Sequence, residues 1–404
     1  MQAQPSSIER NNPEDSSIQR KGFGLRREIL PILAENYKSE LIDQVRKDDY
    51  SLTVGNLTFK IAKEFGFCYG VDKAIDFAYE TRMKFPDRKI YITSEIIHNP
   101  LVNRKLIEMG IQFLSGQYKG DKGVEEIEEE DIVLLPAFGT TVEELEYLKN
   151  KKCLLIDTTC NSVVAVWKRV EQYAQEGYTA IVHGKYNHEE TKATCSRASK
   201  YLIVLDKREA QVVCNYISYG GRRNLFLKQF AGAFSSGFDP DRDLERVGCA
   251  NQTTMMKNES LEIANMIQDA MIEKYGKEAL SNHFRHFDTI CSATQERQDA
   301  IFHLLDEEKI DLMIVIGGYN SSNTTHLAEI ASSHKVPTFH VKGPECFLSP
   351  DTIEHKPVSS HTPTVTSPWL PRGKVTIGIS AGASTPNKVI EEVIQKICTL
   401  TNPV

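Results

Sequence analysis

The sequence predicts an α/β protein built from mostly parallel, helix-covered sheets. Three observations carry this reading. Short apolar runs of strand length recur from Leu57 onward, amphipathic helical stretches lie between many of them, and no apolar run reaches membrane-spanning length, the core of Asp311–Ile316 being only LMIVI. Strands that alternate with helices are joined by crossovers, which lays them parallel and covers the sheet faces.

In chain order, the polar stretch Met1–Ser51 opens rich in Pro, Ser, Asn and Glu and carries a helical pattern over Leu25–Arg46, interrupted by Pro31. It reads as an appendage, disordered at first and then a helix laid on the body. Strands are expected at Thr58–Ala62, Lys89–Thr93, Asp131–Pro136, Cys153–Asp157, Thr179–Val182, Tyr201–Leu205, Asp311–Ile316, Thr338–His340 and Lys374–Ile379. Helices are expected at Asp72–Lys84, Thr141–Asn150, Val163–Gln175, Ser260–Tyr275 and Gln295–Glu308. Gly220–Asp243 reads as an insertion with a short helix and a turn-rich end, and the proline-rich Lys356–Pro371 as a surface loop.

A chain of 404 residues with 40% apolar composition is long enough to bury one large core or a few smaller ones. Its net charge of −7 argues against nucleic acid or a membrane surface as partner. Met1–Arg20 lacks the hydrophobic segment of a signal peptide, and Glu9, Glu14 and Asp15 spoil it as a transit peptide. The expectation is a soluble protein of a reducing compartment, in which nine cysteines without a CxxC pair are neither a disulfide framework nor a zinc ribbon.

Three of these cysteines share a context. IAKEFGFCYGVDKAI around Cys68, CLLIDTTCNSVVAVW around Cys160 and HFDTICSATQERQDA around Cys291 each place the thiol in a turn between an extended segment and a helix. Turns at the carboxyl ends of parallel strands are where sites form. Three thiolates without an evident fourth ligand suit a [4Fe–4S] cluster with one open iron. Three buried turn cysteines, or a zinc site completed by His98 or His188, are the competing readings.

Other strand-end turns are polar. His98 lies in IIHNP, His188 and Glu190 in VHGKYNHEET, and Thr253 and Thr254 in ANQTTMMKNE. Ser321, Ser322 and Asn323 follow a glycine pair before a helix, and Ser384 opens another. Hydroxyls and free N–H groups at helix starts bind anions, whereas ordinary capping explains one residue per turn but not consecutive serines. No GxxxxGK[ST] and no helix-opening GxGxxG is present, so neutral donors and histidines point to a small diphosphate rather than a nucleotide. Glu190, the one carboxylate of the set, supplies a proton if burial raises its pKa. A zinc-dependent or metal-free enzyme acting on a phosphorylated metabolite, and a non-catalytic anion-binding protein, remain open at this point.

Together GFCYGVDKAI, IIHNPLVN, DTTC, HGKYNHEET, NQTT, TICSATQERQ, GGYNSSNT and SAGASTP, in this order from about Thr58 to the last helix, resemble the 4-hydroxy-3-methylbut-2-enyl diphosphate reductase family. The resemblance implies three α/β domains, related by a pseudo-threefold axis, around one [4Fe–4S] cluster per chain. The units would be 58–157 with Cys68, 158–288 with Cys160 and the insertion, and 289–404 with Cys291, after an extension 1–57. It implies cluster ligands Cys68, Cys160 and Cys291; diphosphate contacts His98, His188, Ser321, Ser322, Asn323 and Ser384; Glu190 as proton donor; and Thr253, with Thr254, near the substrate hydroxyl. The implied reaction, the last step of the methylerythritol phosphate pathway, is reductive removal of that hydroxyl to give isopentenyl and dimethylallyl diphosphate, with ferredoxin or flavodoxin as electron donor. A monomer or homodimer in a bacterial cytoplasm, rather than a plastid stroma, is the implied setting.

Two positions depart from the commoner bacterial pattern. Pro136-Ala137-Phe138-Gly139 stands where many members have an Ala-His-Gly pocket histidine, so Phe138 brings no hydrogen bond to a phosphate. Asn161 follows the DTTC cysteine in place of proline. Phe138, the long N-terminus and the Gly220–Asp243 insertion resemble the plant and cyanobacterial branch of the family.

Overall fold

The computed structural model describes residues 17–287, 289–360 and 362–401. Every expected strand and helix forms, with ends shifted by a few residues at most. The central strands Leu312–Ile316 and Thr179–His183 are buried along their whole length, as parallel strands covered on both faces must be.

The strands assemble into three sheets of one design, plus a small antiparallel sheet. The first runs Ile18–Gln19, Leu154–Asp157, Ile132–Leu135, Ile90–Ile92, Ile111–Phe113, all parallel. The second runs Phe284–His286, Val247–Asn251, Thr179–His183, Tyr201–Val204, again parallel. The third runs Thr338–Val341, Leu312–Ile316, Val375–Ala381, Leu57–Ile61 in parallel, with Ser51–Val54 antiparallel on its edge. Each sheet thus repeats one order: a strand leading to a cysteine, its neighbour, a third strand, an outer strand.

Each cysteine also hands the chain from one sheet to the next. The helix after Cys68, Tyr69–Lys84, buries Val71, Ala74, Ile75 and Ala78 on the first sheet, although the strand before Cys68 lies in the third. The helix after Cys160, Asn161–Glu176, packs Val166, Val170 and Tyr173 on the second sheet. The helix after Cys291, Ser292–Glu307, sets Ala300, Ile301 and Leu304 against Met313 and Val315 of the third. The three units close into a ring through these helices.

This ring corrects the linear division of the chain. A unit of 58–157 assigns the expected strand Thr58–Ala62 to the first sheet, whereas that strand, formed by Leu57–Ile61, pairs with Val375–Ala381 in the third. The described part of the extension is likewise no appendage. Ile18–Gln19 extends the first sheet, helix Arg26–Tyr37 buries Ile29, Leu33 and Tyr37, and helix Glu40–Lys47 sends Ile42 and Val45 into the third core. Residues 1–16, where disorder was expected, lie outside the described residues. Pro31 sits inside the first of these helices at the loss of one backbone hydrogen bond; the break comes at Lys38, and Ser39 caps the next helix by accepting from the Ile42 N–H.

Two further segments are more deeply embedded than expected, the first with its short helix in place. Gly220–Asp243 contains helix Arg223–Gln229, but Phe226, Phe230 and Phe238 enter the second core and Ala233 and Ser235 bond the edge strand at Ile203 and Tyr201. Lys356–Pro371 is not wholly a loop, because Thr364–Thr366 pairs antiparallel with Thr352–His355 and Trp369 is buried. Both contain isolated aromatics whose burial depends on distant partners. Among the described residues no helix is long and apolar enough to cross a membrane. Phe230→Ala is expected to destabilise the second unit by about 3–5 kcal/mol, the cost of emptying a phenylalanine site in a packed core, as read from denaturation midpoints.

Candidate active site

Cys68, Cys160 and Cys291 are each the N-cap of the helix that follows. Each also donates its backbone N–H to the loop after the neighbouring strand: Cys68 to Ala383 O at 3.1 Å, Cys160 to Ala137 O at 3.0 Å, Cys291 to Thr253 O at 3.3 Å. The thiols therefore occupy equivalent places at the carboxyl end of each sheet, facing one centre. A Cβ on Gly70 would stand 2.5 Å from Cys160 Sγ and 4.0 Å from Cys68 Sγ, so glycine lets those two sulfurs flank the helix start. Ser162 Oγ, on the Cys160 helix, lies 3.5 Å from Cys291 Sγ.

Three helix N-termini converge on these thiols, and their partial positive charge favours thiolate and any anion bound there. Burial, with Cys160 and Cys291 adding to it, nevertheless pushes the Cys68 thiol up, while the Val71 N–H and Arg297 pull it down. The donor set fits a cluster better than a single ion. Tetrahedral zinc at about 2.3 Å from sulfur sets its sulfurs about 3.8 Å apart, whereas these three do not all lie within 4.8 Å of one another. The group of the described residues that does meet that spacing is His98, His188 and half-exposed Glu189.

Beside the thiols is a cavity of about 90 Å³ lined by every site residue expected from the sequence: the three cysteines, His98, His188, Glu190, Thr253, Thr254, Ser321, Ser322, Asn323 and Ser384. Its donors are aimed before any ligand arrives. Glu95 accepts from His98 Nδ1 at 2.9 Å, which puts the proton on Nδ1 and turns Nε2 to the cavity. Burial pushes the Glu95 carboxyl up, but hydrogen bonds from His98, Gln117 and Asn320 outweigh it and hold Glu95 below the usual range. His188 Nδ1 accepts the Glu190 N–H at 3.2 Å, leaving its Nε2–H to face His98 Nε2 at 3.3 Å. Full burial, then His98 and Lys185, push His188 far down, so it serves as a neutral donor. Ser321 Oγ accepts from Thr324 N and Oγ1, and Ser322 Oγ from Gln252 Nε2 at 3.1 Å, so each hydroxyl keeps its proton for the cavity. Asn323 Oδ1 accepts from the Ala383 N–H and its buried Nδ2 has no partner. Ser321, Ser322 and Asn323 thus present donors with unused protons, a set built for an anion.

Glu190 is the second residue of the helix Glu189–Cys195 and is buried. Burial raises its pKa to about 7 against the opposing bond from the Thr253 N–H. Because Thr253 O in turn holds the Cys291 N–H, the acid is tied directly to a cysteine turn.

Sequence reasoning missed Glu95, Gln117, Asn320 and Gln252. Gln252 bonds Thr254, Ser322, Thr191 and the Lys185 N–H, joining the second and third units. NQTT and GGYNSSN both carry these amides in plain view, but apart from Thr254 their partners lie far off in the chain. Phe138 stacks on His98 with ring centroids 4.1 Å apart and meets His188 edge-on. Its turn requires Gly139, whose φ is +80° and whose Cβ would collide with Trp167. Phe138 therefore orients the histidine that a third histidine would otherwise assist. Phe138→Ala is expected to weaken binding of inorganic diphosphate about fivefold, the loss of a stacking contact of about 1 kcal/mol, with Phe138→His recovering most of it in calorimetric titration.

The chain resembles known proteins over most of its length. Residues 59–398 match a profile described as LytB protein. A relative from Gloeobacter violaceus named 4-hydroxy-3-methylbut-2-enyl diphosphate reductase is 52% identical over 384 residues, covering 94% of this chain and 92% of that one. A Synechococcus protein of the same name is 50% identical over 381 residues, 94% of this chain and 95% of that one. A solved structure of (E)-4-hydroxy-3-methyl-but-2-enyl diphosphate reductase, called the terminal enzyme of the non-mevalonate pathway, is similar at 29% identity and a TM-score of 0.50, covering 84% of this chain and 98% of that one. The Plasmodium falciparum reductase structure, at 22% identity and a TM-score of 0.61, covers 85% of this chain and 88% of its own and speaks for the fold alone. With the profile spanning most of its length and relatives half identical to it, the chain belongs to the LytB protein family.

Proposed function

We propose that this chain reduces (E)-4-hydroxy-3-methylbut-2-enyl diphosphate to isopentenyl and dimethylallyl diphosphate, the last step of the methylerythritol phosphate route. The observation that carries the reading is the one cavity in which three helix-capping cysteines meet a set of hydrogen-bond donors and a buried carboxyl whose pKa is raised to about 7. The relatives' names agree with it. Cys68, Cys160 and Cys291 would hold one [4Fe–4S] cluster with an open iron, in the midst of three parallel α/β units. When bound, such a cluster supplies electrons and a Lewis acid.

The chain's own groups do the rest. His98, His188, Ser321, Ser322, Asn323 and Ser384 hold the diphosphate, which fixes a short substrate with its far end toward the thiols. Thr253 and Thr254 line the cavity where the substrate hydroxyl would lie. Glu190, protonated up to about pH 7, gives its proton to the departing hydroxyl so that it leaves as water. Two electrons and two protons are consumed, the second proton ending on carbon. Ferredoxin or flavodoxin is the fitting one-electron donor, and a bacterial cytoplasm suits a chain whose relatives are bacterial, as monomer or homodimer. A zinc enzyme using His98, His188 and Glu189 is the second reading, favoured by the close spacing of those ligand atoms.

The deciding experiment is anaerobic purification followed by iron, sulfide and zinc analysis and a turnover assay with chemical reductant. About four irons per chain and turnover are expected, both lost in Cys68→Ser, Cys160→Ser and Cys291→Ser; zinc without sulfide would favour the second reading. Glu190→Gln is expected to keep metal and substrate binding but lose most turnover, and in the wild type the rate should fall on the alkaline side of about pH 7. The sign for stability follows from the same shift. A carboxyl raised from 4.5 to about 7 binds its proton more tightly when folded, so its contribution is full below 4.5 and lost as pH rises through 7. Metal-free Glu190→Gln should therefore exceed the wild type in stability above pH 7 by on the order of 3 kcal/mol in denaturant titrations.

A further inference from the structure

Arg297 lies two turns along the helix that starts at Cys291, yet its side chain reaches back across the ring of units. Nη2 donates to Gly66 O at 2.7 Å, just before Cys68, and Nη1 to Ala293 O at 2.7 Å, just after Cys291. The residue is 3% exposed, and no other arginine or lysine among the described residues is buried to that degree. Both partners are neutral carbonyls, and Nε has none. Asp72 feels the charge but makes no ion pair with it among the described residues. A buried guanidinium without a counter-ion is strongly disfavoured, so this position implies an anion that the protein's own carboxylates do not supply. The turns it joins carry Cys68 and Cys291, and the Cys68 thiol feels its charge, as Asp72 does.

We propose that Arg297 is the fixed counter-charge of the thiolate triad: clamped between the Cys291 helix and the Cys68 loop, it keeps one positive charge beside the anionic metal centre and makes that centre easier to reduce. This rests on the cluster reading above. Arg297 is a positioning and electrostatic residue, touching neither substrate nor reacting atoms. A positive charge held in a poorly screened interior favours the state with one more electron, while the same fork ties two of the three ligand turns together.

The test uses the anaerobically reconstituted full chain, with Arg297→Lys and Arg297→Gln compared by iron analysis and by a redox titration followed by electron paramagnetic resonance. Arg297→Gln is expected to shift the midpoint potential about 59 mV more negative, a tenfold fall in a one-electron reduction constant, with Arg297→Lys recovering most of the shift. If Arg297→Gln fails to load iron while Arg297→Lys loads it, the counter-charge role is also supported. A wild-type potential in fully loaded Arg297→Gln, or equal damage in both variants, would overturn it and leave a neutral structural clamp. Absence of iron and sulfide from the wild-type protein would instead remove the cluster reading, and the proposal with it.

Discussion

Everything at the centre of this molecule depends on three helix N-termini aimed at one small volume, each capped by a cysteine. Like partial charges so placed repel unless negative charge lies between them. The backbone enforces the arrangement through the cysteine N–H bonds to Ala383, Ala137 and Thr253, one from each neighbouring strand end. The fold is thus shaped to receive negative charge at this centre. The buried guanidinium of Arg297 adds a full positive charge. Stability is given up at this point so that an anionic group gains.

The anion pocket follows the same logic through hydrogen bonds. Thr324 and Gln252 use up the accepting side of Ser321 and Ser322 and leave their donating side free, while Glu95 anchors His98 through its Nδ1–H. Buried donors without partners are unfavourable in the empty protein. Asn323 Nδ2 is the plainest case. Preorganisation of this kind reduces the ordering a ligand must impose when it binds. Phe138 contributes by shape alone, holding the His98 ring by stacking in a pocket already provided with donors.

Closure of the ring explains why distant segments matter to the site. The third sheet takes the strand that leads to Cys68, Leu57–Ile61, and its edge strand Ser51–Val54 from the opposite end of the chain to its other three strands. The C-terminal unit therefore cannot present Cys68 in register until the N-terminal region has paired. Helix Glu40–Lys47 and strand Ser51–Val54 brace that junction, with Ile42 and Val45 in the third core.

Much of this is written locally. Strand–helix alternation is legible because apolar runs such as LMIVI and amphipathic stretches have distinct periods. The cysteine turns and the polar strand ends are legible because a site at the carboxyl ends of parallel strands draws its residues from just those turns. What stayed hidden was set by pairing over distance. The transfer of Leu57–Ile61 to the third sheet, the burial of Phe230 and Trp369, and the partners of Glu95, Gln252 and Arg297 join residues too far apart for any periodicity to connect. By itself the sequence determined the element types, the turns that carry chemistry and the residue kinds found there. Tertiary structure alone decided which atoms face the cavity, because hydrogen-bond direction and burial, and with them the raised pKa of Glu190, exist only once the three units have closed.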